Sequence, residues 1–231
     1  MAGEMTPVIK ICGVKETEHA LAAAEAGATH IGFNFAASKR YVEPEQARRC
    51  IDVVKSAFPQ VMTVGLFVDA PMSDILAVSE ASGIDHLQLH GPLDPAMIER
   101  LPLPVWPVMR TMPGEQVNTI ERRFALLQTS GVEALLLDAY HPTLAGGTGL
   151  LADWAFAADT ARRLPIILAG GLNPGNVGDA IRQVRPLGVD VASGVERDGR
   201  KNAELIRAFI TSARAAFDHS MNVGASSQDS P

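Results

Sequence analysis

Eight short β-branched or leucine-rich runs alternate with helical segments along the 231 residues. The first such unit lacks a G-x-G-x-x-G turn, and the entries to the strands repeat a common pattern. Together these observations predict one closed (β/α)8 barrel rather than an open, doubly wound sheet. The predicted strands cover residues 8–12, 30–35, 63–68, 86–90, 105–109, 134–138, 166–169 and 189–192. Each is almost continuously apolar, as expected of a parallel strand covered on both faces.

The helices carry their own punctuation. Pro44, Pro71, Pro95 and Pro174 each open an apolar-periodic segment, a position where a fixed φ and a missing N–H cost nothing. Asp94 and Asn173 stand before two of them as expected N-caps. Alanine-rich stretches such as 18–26 are strong helix formers. Gly27, Gly83, Gly131 and Gly188 each close a helix before a strand, as left-handed C′ glycines do. The other four strands follow Pro7, Pro59, Pro104 and Pro165. No domain boundary is visible, so residues 1–219 form the barrel and the small, polar stretch 220–231 reads as a flexible tail.

Composition narrows the function classes. With 47% hydrophobic residues the chain can offset its ordering entropy, which excludes disorder throughout. Lys and Arg number 20 against 26 Asp and Glu, a net charge of −6 that argues against nucleic acid or an anionic membrane as partner. Two cysteines, Cys12 and Cys50, make no disulfide framework in a chain of this size. Residues 1–5 carry neither a basic nor an apolar secretory signature, and no run of about 18 apolar residues could span a bilayer. A reduced, cytoplasmic protein is expected, as monomer or homodimer.

Barrel enzymes keep their chemistry at the C-terminal strand ends, which leaves eight places to look. Lys10 and Cys12 share one side of the first strand by period 2. Cys12 is either a buried filler or, with a cation lowering its pKa, a usable base; Cys50, within a helix, reads as structural. Lys39 and Arg40 follow the second strand, as solvated charges or as partners of an anionic ligand. Gln88 and His90 share a face at the end of the fourth strand and could line the mouth. Asp138 ends the sixth, as a cap or surface carboxylate, or as a general acid, since a carboxyl against an apolar wall resists ionisation. Gly146 and Gly147 lie in the glycine-rich loop after it. Gly170 and Gly171 follow the seventh strand, and Ser193 and Gly194 the eighth. Glycine turns at those two strand ends match a barrel phosphate cradle, so a phosphorylated ligand is expected.

The motifs Lys-Ile-Cys-Gly, Ser-Lys-Arg-Tyr-Val, Gln-Leu-His-Gly, Leu-Leu-Leu-Asp-Ala, Gly-Gly-Thr-Gly with Asp153-Trp154, Leu-Ala-Gly-Gly-Leu-Asn-Pro-Gly-Asn-Val and Gly-Val-Asp-Val-Ala-Ser-Gly-Val-Glu occur in that order. In this combination the chain resembles the phosphoribosylanthranilate isomerases of tryptophan biosynthesis, over nearly its whole length. The resemblance implies an Amadori rearrangement of N-(5-phosphoribosyl)anthranilate, with no cofactor and no metal. It also implies Cys12 as general base, Asp138 as general acid and Arg40 against the anthranilate end. Gln88, His90 and Asp190 join the expected substrate-binding set. The chain departs from the family pattern with Lys39 where proline is frequent, with residues 150–152 before Asp153-Trp154, and with Asn202 after Lys201. Another phosphosugar enzyme on a barrel, or a barrel that binds a phosphate ligand without catalysis, is the competing expectation. The former needs a His/Asp metal set that the strand ends lack, and the latter has no use for Cys12 and Asp138.

Overall fold

A computed structural model describes residues 6–112, 114–128, 130–139 and 153–226. The strands are β1 (Val8–Cys12), β2 (His30–Asn34), β3 (Met62–Val68), β4 (His86–His90), β5 (Val105–Arg110), β6 (Leu135–Asp138), β7 (Ile166–Ala169) and β8 (Gly188–Val191). They pair in parallel, each with its neighbours in sequence, and β1 pairs with β8 to close the barrel. The helices α1 (Thr17–Ala26), α2 (Pro44–Ala57), α3 (Met72–Ser82), α4 (Pro95–Ile98), α5 (Val117–Gln128), α6 (Trp154–Ala161), α7 (Val177–Val184) and α8 (Ala203–Ser226) alternate with them. A short antiparallel hairpin, β9 (Glu196–Arg197) and β10 (Arg200–Lys201), stands on the path from β8 to α8. The predicted (β/α)8 barrel is the observed fold.

Period 2 sorts the strand residues into two cores. Ile9, Ile11, Ile31, Phe33, Leu135, Leu137, Ile166 and Leu168 face the helices and pack with buried residues such as Phe124, Phe209 and Ile210. Val8, Val64, Trp106, Val108, Leu136 and Ile167 form a separate cluster that fills the barrel itself. At the N-terminal end of the barrel, Trp106 packs against His30 (5.0 Å between ring centroids) and His86 (5.2 Å). Burial, then the neighbouring His86, pushes the His30 pKa down to about 3. This histidine pair is therefore neutral filling.

Caps and turns follow the sequence in most places. The Asp94 side chain accepts from the Ala96 N–H, and Gly27 and Gly83 close α1 and α3 in the left-handed region. Two expectations fail. Gly188 is not a helix cap, because Arg185 (φ 53°) ends α7 instead. Gly188 opens β8, where a Cβ would run into the Val8 side chain and stand 2.5 Å from the Val8 carbonyl oxygen. Asn173 does not cap α7 either. Its Oδ1 accepts from the Gly175 N–H in a tight turn through Pro174, which delays the helix to Val177. At the C-terminus α8 continues to Ser226, so the stretch expected to be a tail from residue 220 begins inside a helix, and residues 227–231 lie outside the described residues. Among the described residues no helix is long and apolar enough to cross a membrane.

Candidate active site at the C-terminal mouth of the barrel

One cavity of about 450 Å³ opens at the C-terminal ends of the strands. Cys12, Arg40, Gln88, His90, Asp138, Gly170, Gly171, Asp190 and Ser193 all line it. Nine of the residues singled out from sequence thus converge from the ends of six different strands and the loops after them, in a cavity within the size range of small-ligand sites. Gly194 lies just behind the wall, while Gly146 and Gly147 lie outside the described residues. A wider hollow of about 570 Å³ between α7 and α8 shares none of these lining residues, and its Asp179 and Arg182 are paired with each other.

The first turn sets Cys12 against Arg40. Gly13 has φ 74°, and a Cβ there would meet the Arg40 Cδ at 2.6 Å, so the arginine stem crosses the turn only because glycine occupies it. The loop that carries Arg40 is tied from within. Asn34 Oδ1 accepts from the Ala36 N–H (2.8 Å), Asn34 Nδ2 donates to Ser38 Oγ (2.9 Å), and the Arg40 N–H donates to the same Oγ (3.0 Å). The Arg40 guanidinium then forks onto Glu196, with Nε 2.6 Å from Oε1 and Nη2 2.9 Å from Oε2. Lys201 Nζ reaches Glu196 Oε1 at 3.1 Å and the Ala192 carbonyl at 2.7 Å. Arg40 and Lys201 together outweigh burial and hold the Glu196 carboxyl below the ordinary glutamate range. Burial pushes the Lys201 pKa down despite Glu196 and Cys12, whereas the Glu196 hydrogen bonds raise that of Arg40.

Cys12 is 5% exposed. Burial pushes its thiol up, and this outweighs the pull of Lys10 and Lys201 in the other direction. The lowered pKa expected from a cationic neighbour is therefore not the net result: the cations are present, but desolvation is larger. Lys10 itself, two residues earlier on β1, is fully buried with Nζ 2.8 Å from Asp190 Oδ1. Asp190 lines the cavity with one oxygen already committed to that lysine.

Across the mouth, β6 ends in Asp138, registered against Arg110 on β5 and Ala169 on β7. Its carboxylate accepts from Arg110 Nε at 3.4 Å, so its setting is a charge-paired rim rather than the purely apolar wall expected. His90 faces it from β4; burial lowers the histidine pKa although the Asp138 charge opposes this. Gln88 Nε2 donates to His90 Nε2 (3.2 Å). Among the described residues no group of His, Cys, Asp or Glu could hold a metal ion.

The turns after β7 and β8 are interlocked. Gly170 (φ 95°) and Gly171 (φ 68°) take the left-handed turn that glycine favours. Asn176 Nδ2 donates to the Gly171 carbonyl, and Asn176 Oδ1 accepts from the Asn173 N–H. Gly194 sits so close beneath this turn that a Cβ would overlap the Leu172 carbonyl oxygen. Sequence reasoning missed Glu196 and Arg110. The first lay in view inside the Gly-Val-Glu motif, but its partner Arg40 is 156 residues away; nothing around Arg110 marked it.

A family model described as N-(5'phosphoribosyl)anthranilate (PRA) isomerase matches residues 9–212. The N-(5'-phosphoribosyl)anthranilate isomerase of Roseiflexus sp. (strain RS-1) is 42% identical over 212 residues, covering 90% of this chain and 98% of the relative. The phosphoribosyl anthranilate isomerase of Thermotoga maritima superposes with TM-score 0.77 at 34% identity, over 91% of this chain and 100% of that one. A phosphoribosyl anthranilate isomerase solved in complex with reduced 1-(o-carboxyphenylamino)-1-deoxyribulose 5-phosphate gives TM-score 0.73 at 33% identity over the same shares. With a family model matched over most of its length, relatives above 40% identical and solved barrels of the same kind superposed on it, the chain belongs to the N-(5'-phosphoribosyl)anthranilate isomerase family.

Proposed function

We propose that this protein isomerises N-(5'-phosphoribosyl)anthranilate to 1-(o-carboxyphenylamino)-1-deoxyribulose 5-phosphate by general acid–base catalysis. The observation that carries the mechanism is the shared cavity. A thiol on β1 and a carboxyl on β6 line the same space, and glycine turns after β7 and β8 border it. Asp138 gives its proton to the ribose ring oxygen as the C1′–O bond opens and the anthranilate nitrogen forms a Schiff base with C1′. Cys12, as thiolate, takes the C2′ proton. The electrons left behind neutralise the iminium and give an enolamine, which gains a proton at C1′ and loses one from the C2′ hydroxyl to become the ketone. The substrate thus gains and loses equal numbers of protons, and no electron acceptor is needed.

Arg40, its fork oriented by Glu196, offers a guanidinium for the anthranilate carboxylate. His90, kept neutral by burial and held by Gln88, suits a hydrogen bond to the sugar hydroxyls. The phosphate is assigned to the turns of Gly170, Gly171, Ser193 and Gly194, whose backbone can approach an anion closely; Gly146 and Gly147 belong to the same assignment. The deciding experiment follows the fluorescence of the anthranilate group as purified protein consumes phosphoribosylanthranilate. Absence of turnover by folded protein refutes the reading.

A further inference from the structure

Among the described residues Lys10 is one of the largest fully buried side chains, and it is charged. It lies directly in register with Asp190 across the β1–β8 seam, Nζ to Oδ1 at 2.8 Å. Folding alone gives little reason for such a pair, because well-packed apolar residues in place of a buried ion pair are often as stable or more so. Its surroundings supply a reason. Lys10 and Cys12 share one face of β1 and both lean over Gly32 of β2. A Cβ at Gly32 would lie 3.0 Å from the Cys12 sulfur and 3.0 Å from the Lys10 Cε. Glycine at that position keeps open the space that the two side chains share.

The other charges around the sulfur are Asp190 from β8, Lys201 from β10 and Arg40 from the loop after β2. His30 of β2 also faces Lys10 but stays neutral, while His90 faces it from across the cavity with Asp138 beside that histidine. Arg40 and Lys201 are both committed to Glu196, and Lys10 alone of the three cations is on the same strand face as the thiol.

We propose that Lys10, anchored by Asp190, is a positioning residue for the isomerisation, its ammonium opposing the burial that favours the neutral thiol and so bringing the thiolate that takes the C2′ proton within reach. The ammonium keeps its own proton throughout, and the sulfur alone gains and returns one. The proposal rests on Cys12 being the base, yet it predicts a behaviour of the thiol that exists without turnover. Burial works against the ammonium, but Asp190 and the Cys12 sulfur outweigh it and keep the Lys10 pKa above the ordinary lysine value.

The test uses the full chain with Cys50→Ala, so that thiolate ultraviolet absorbance reports Cys12 alone. Lys10→Met is expected to move the thiol midpoint to higher pH by about one unit or more, the low end for losing an opposite charge at contact. The acid limb of the kcat/KM profile should move with it. Lys10→Met with Asp190→Asn should move both in the same direction without stranding a buried carboxylate. A thiol midpoint unchanged in either folded variant overturns the proposal and leaves Cys12 as base intact. A midpoint that moves while the rate profile does not overturns Cys12 as base, and the catalytic role of Lys10 falls with it. Should neither variant fold, NMR of the Lys10 ammonium in the parent decides. Its nitrogen resonance must shift across the Cys12 titration and lose that shift in Cys12→Ser; a flat resonance overturns the proposal.

Discussion

Gly194→Ala is the smallest substitution that should break the proposed anion cradle. A Cβ at 194 would overlap the Leu172 carbonyl oxygen and stand 2.8 Å from the Leu172 carbonyl carbon and 3.0 Å from the Asn173 Cα. Ordinary carbon contacts are about 3.5–4.0 Å, so the shortfall is roughly 1 Å. All three neighbours are backbone, which leaves no flexible side-chain end to swing away. The turns after β7 and β8 must separate. Overpacking of this kind costs about 1–3 kcal/mol of stability. Donors displaced by about 1 Å lose at least one hydrogen bond to a charged ligand, worth about 1.5–3 kcal/mol. At 1.4 kcal/mol per decade this is roughly ten- to a hundredfold in affinity. Competition by inorganic phosphate against substrate measures the loss, and a denaturant titration measures stability. Gly131→Ala is the control, since Gly131 is also left-handed (φ 85°) but has nothing within 4 Å of an added Cβ. It should lose stability and keep the inhibition constant. A phosphate inhibition constant within twofold of the parent in Gly194→Ala refutes the cradle.

Cys12→Ser and Asp138→Asn should each lower kcat by at least ~10²-fold in the fluorescence assay, the low end of a general acid–base contribution; near-normal turnover in either removes that group from the chemistry. Glu196→Gln weakens the fork on Arg40 and the tie to Lys201, so KM should rise more than kcat falls, and an unchanged KM would show that Arg40 needs no clamp. His30 governs part of the acid lability. Unfolded, it binds a proton below about 6.5; folded, it does so only near a pKa of about 3. The unfolded state therefore holds more protons in that window, and stability falls as pH drops through it, by up to about 1.4 kcal/mol per unit. His30→Gln should flatten the unfolding free energy between those limits, measured by urea titration at stepped pH, and an unaltered slope would contradict the neutral state assigned to His30.

The barrel was legible because its strands are covered on both faces. Apolar runs bounded by proline or glycine placed β1, β4 and β7 at their observed bounds and the other five within one residue at each end. The errors arose where one residue type serves two purposes. Gly188 looks like a helix cap, yet it is required by close approach to Val8, and Asn173 shapes a turn instead of capping α7. The lining of the mouth was readable from period 2 at strand ends, which put Lys10 with Cys12 and Gln88 with His90. Pairings across the barrel were not. Glu196 with Arg40 and Lys10 with Asp190 join residues 156 and 180 positions apart, and no local pattern encodes such partners. The state of the thiol was misjudged for the same reason, since the depth of burial belongs to the closed barrel and not to the residues beside Cys12.

The seam between β1 and β8 joins the first strand of the barrel to its last, and it is there that Lys10 meets Asp190. In order of synthesis Cys12 and Lys10 come almost together, but the carboxylate that anchors the ammonium follows Lys10 by 180 residues. Truncation before β8 should therefore leave fragments that are chemically inert, however well their helices form. Competence would arrive in a single stroke, as the final staves of the cask lock against the first.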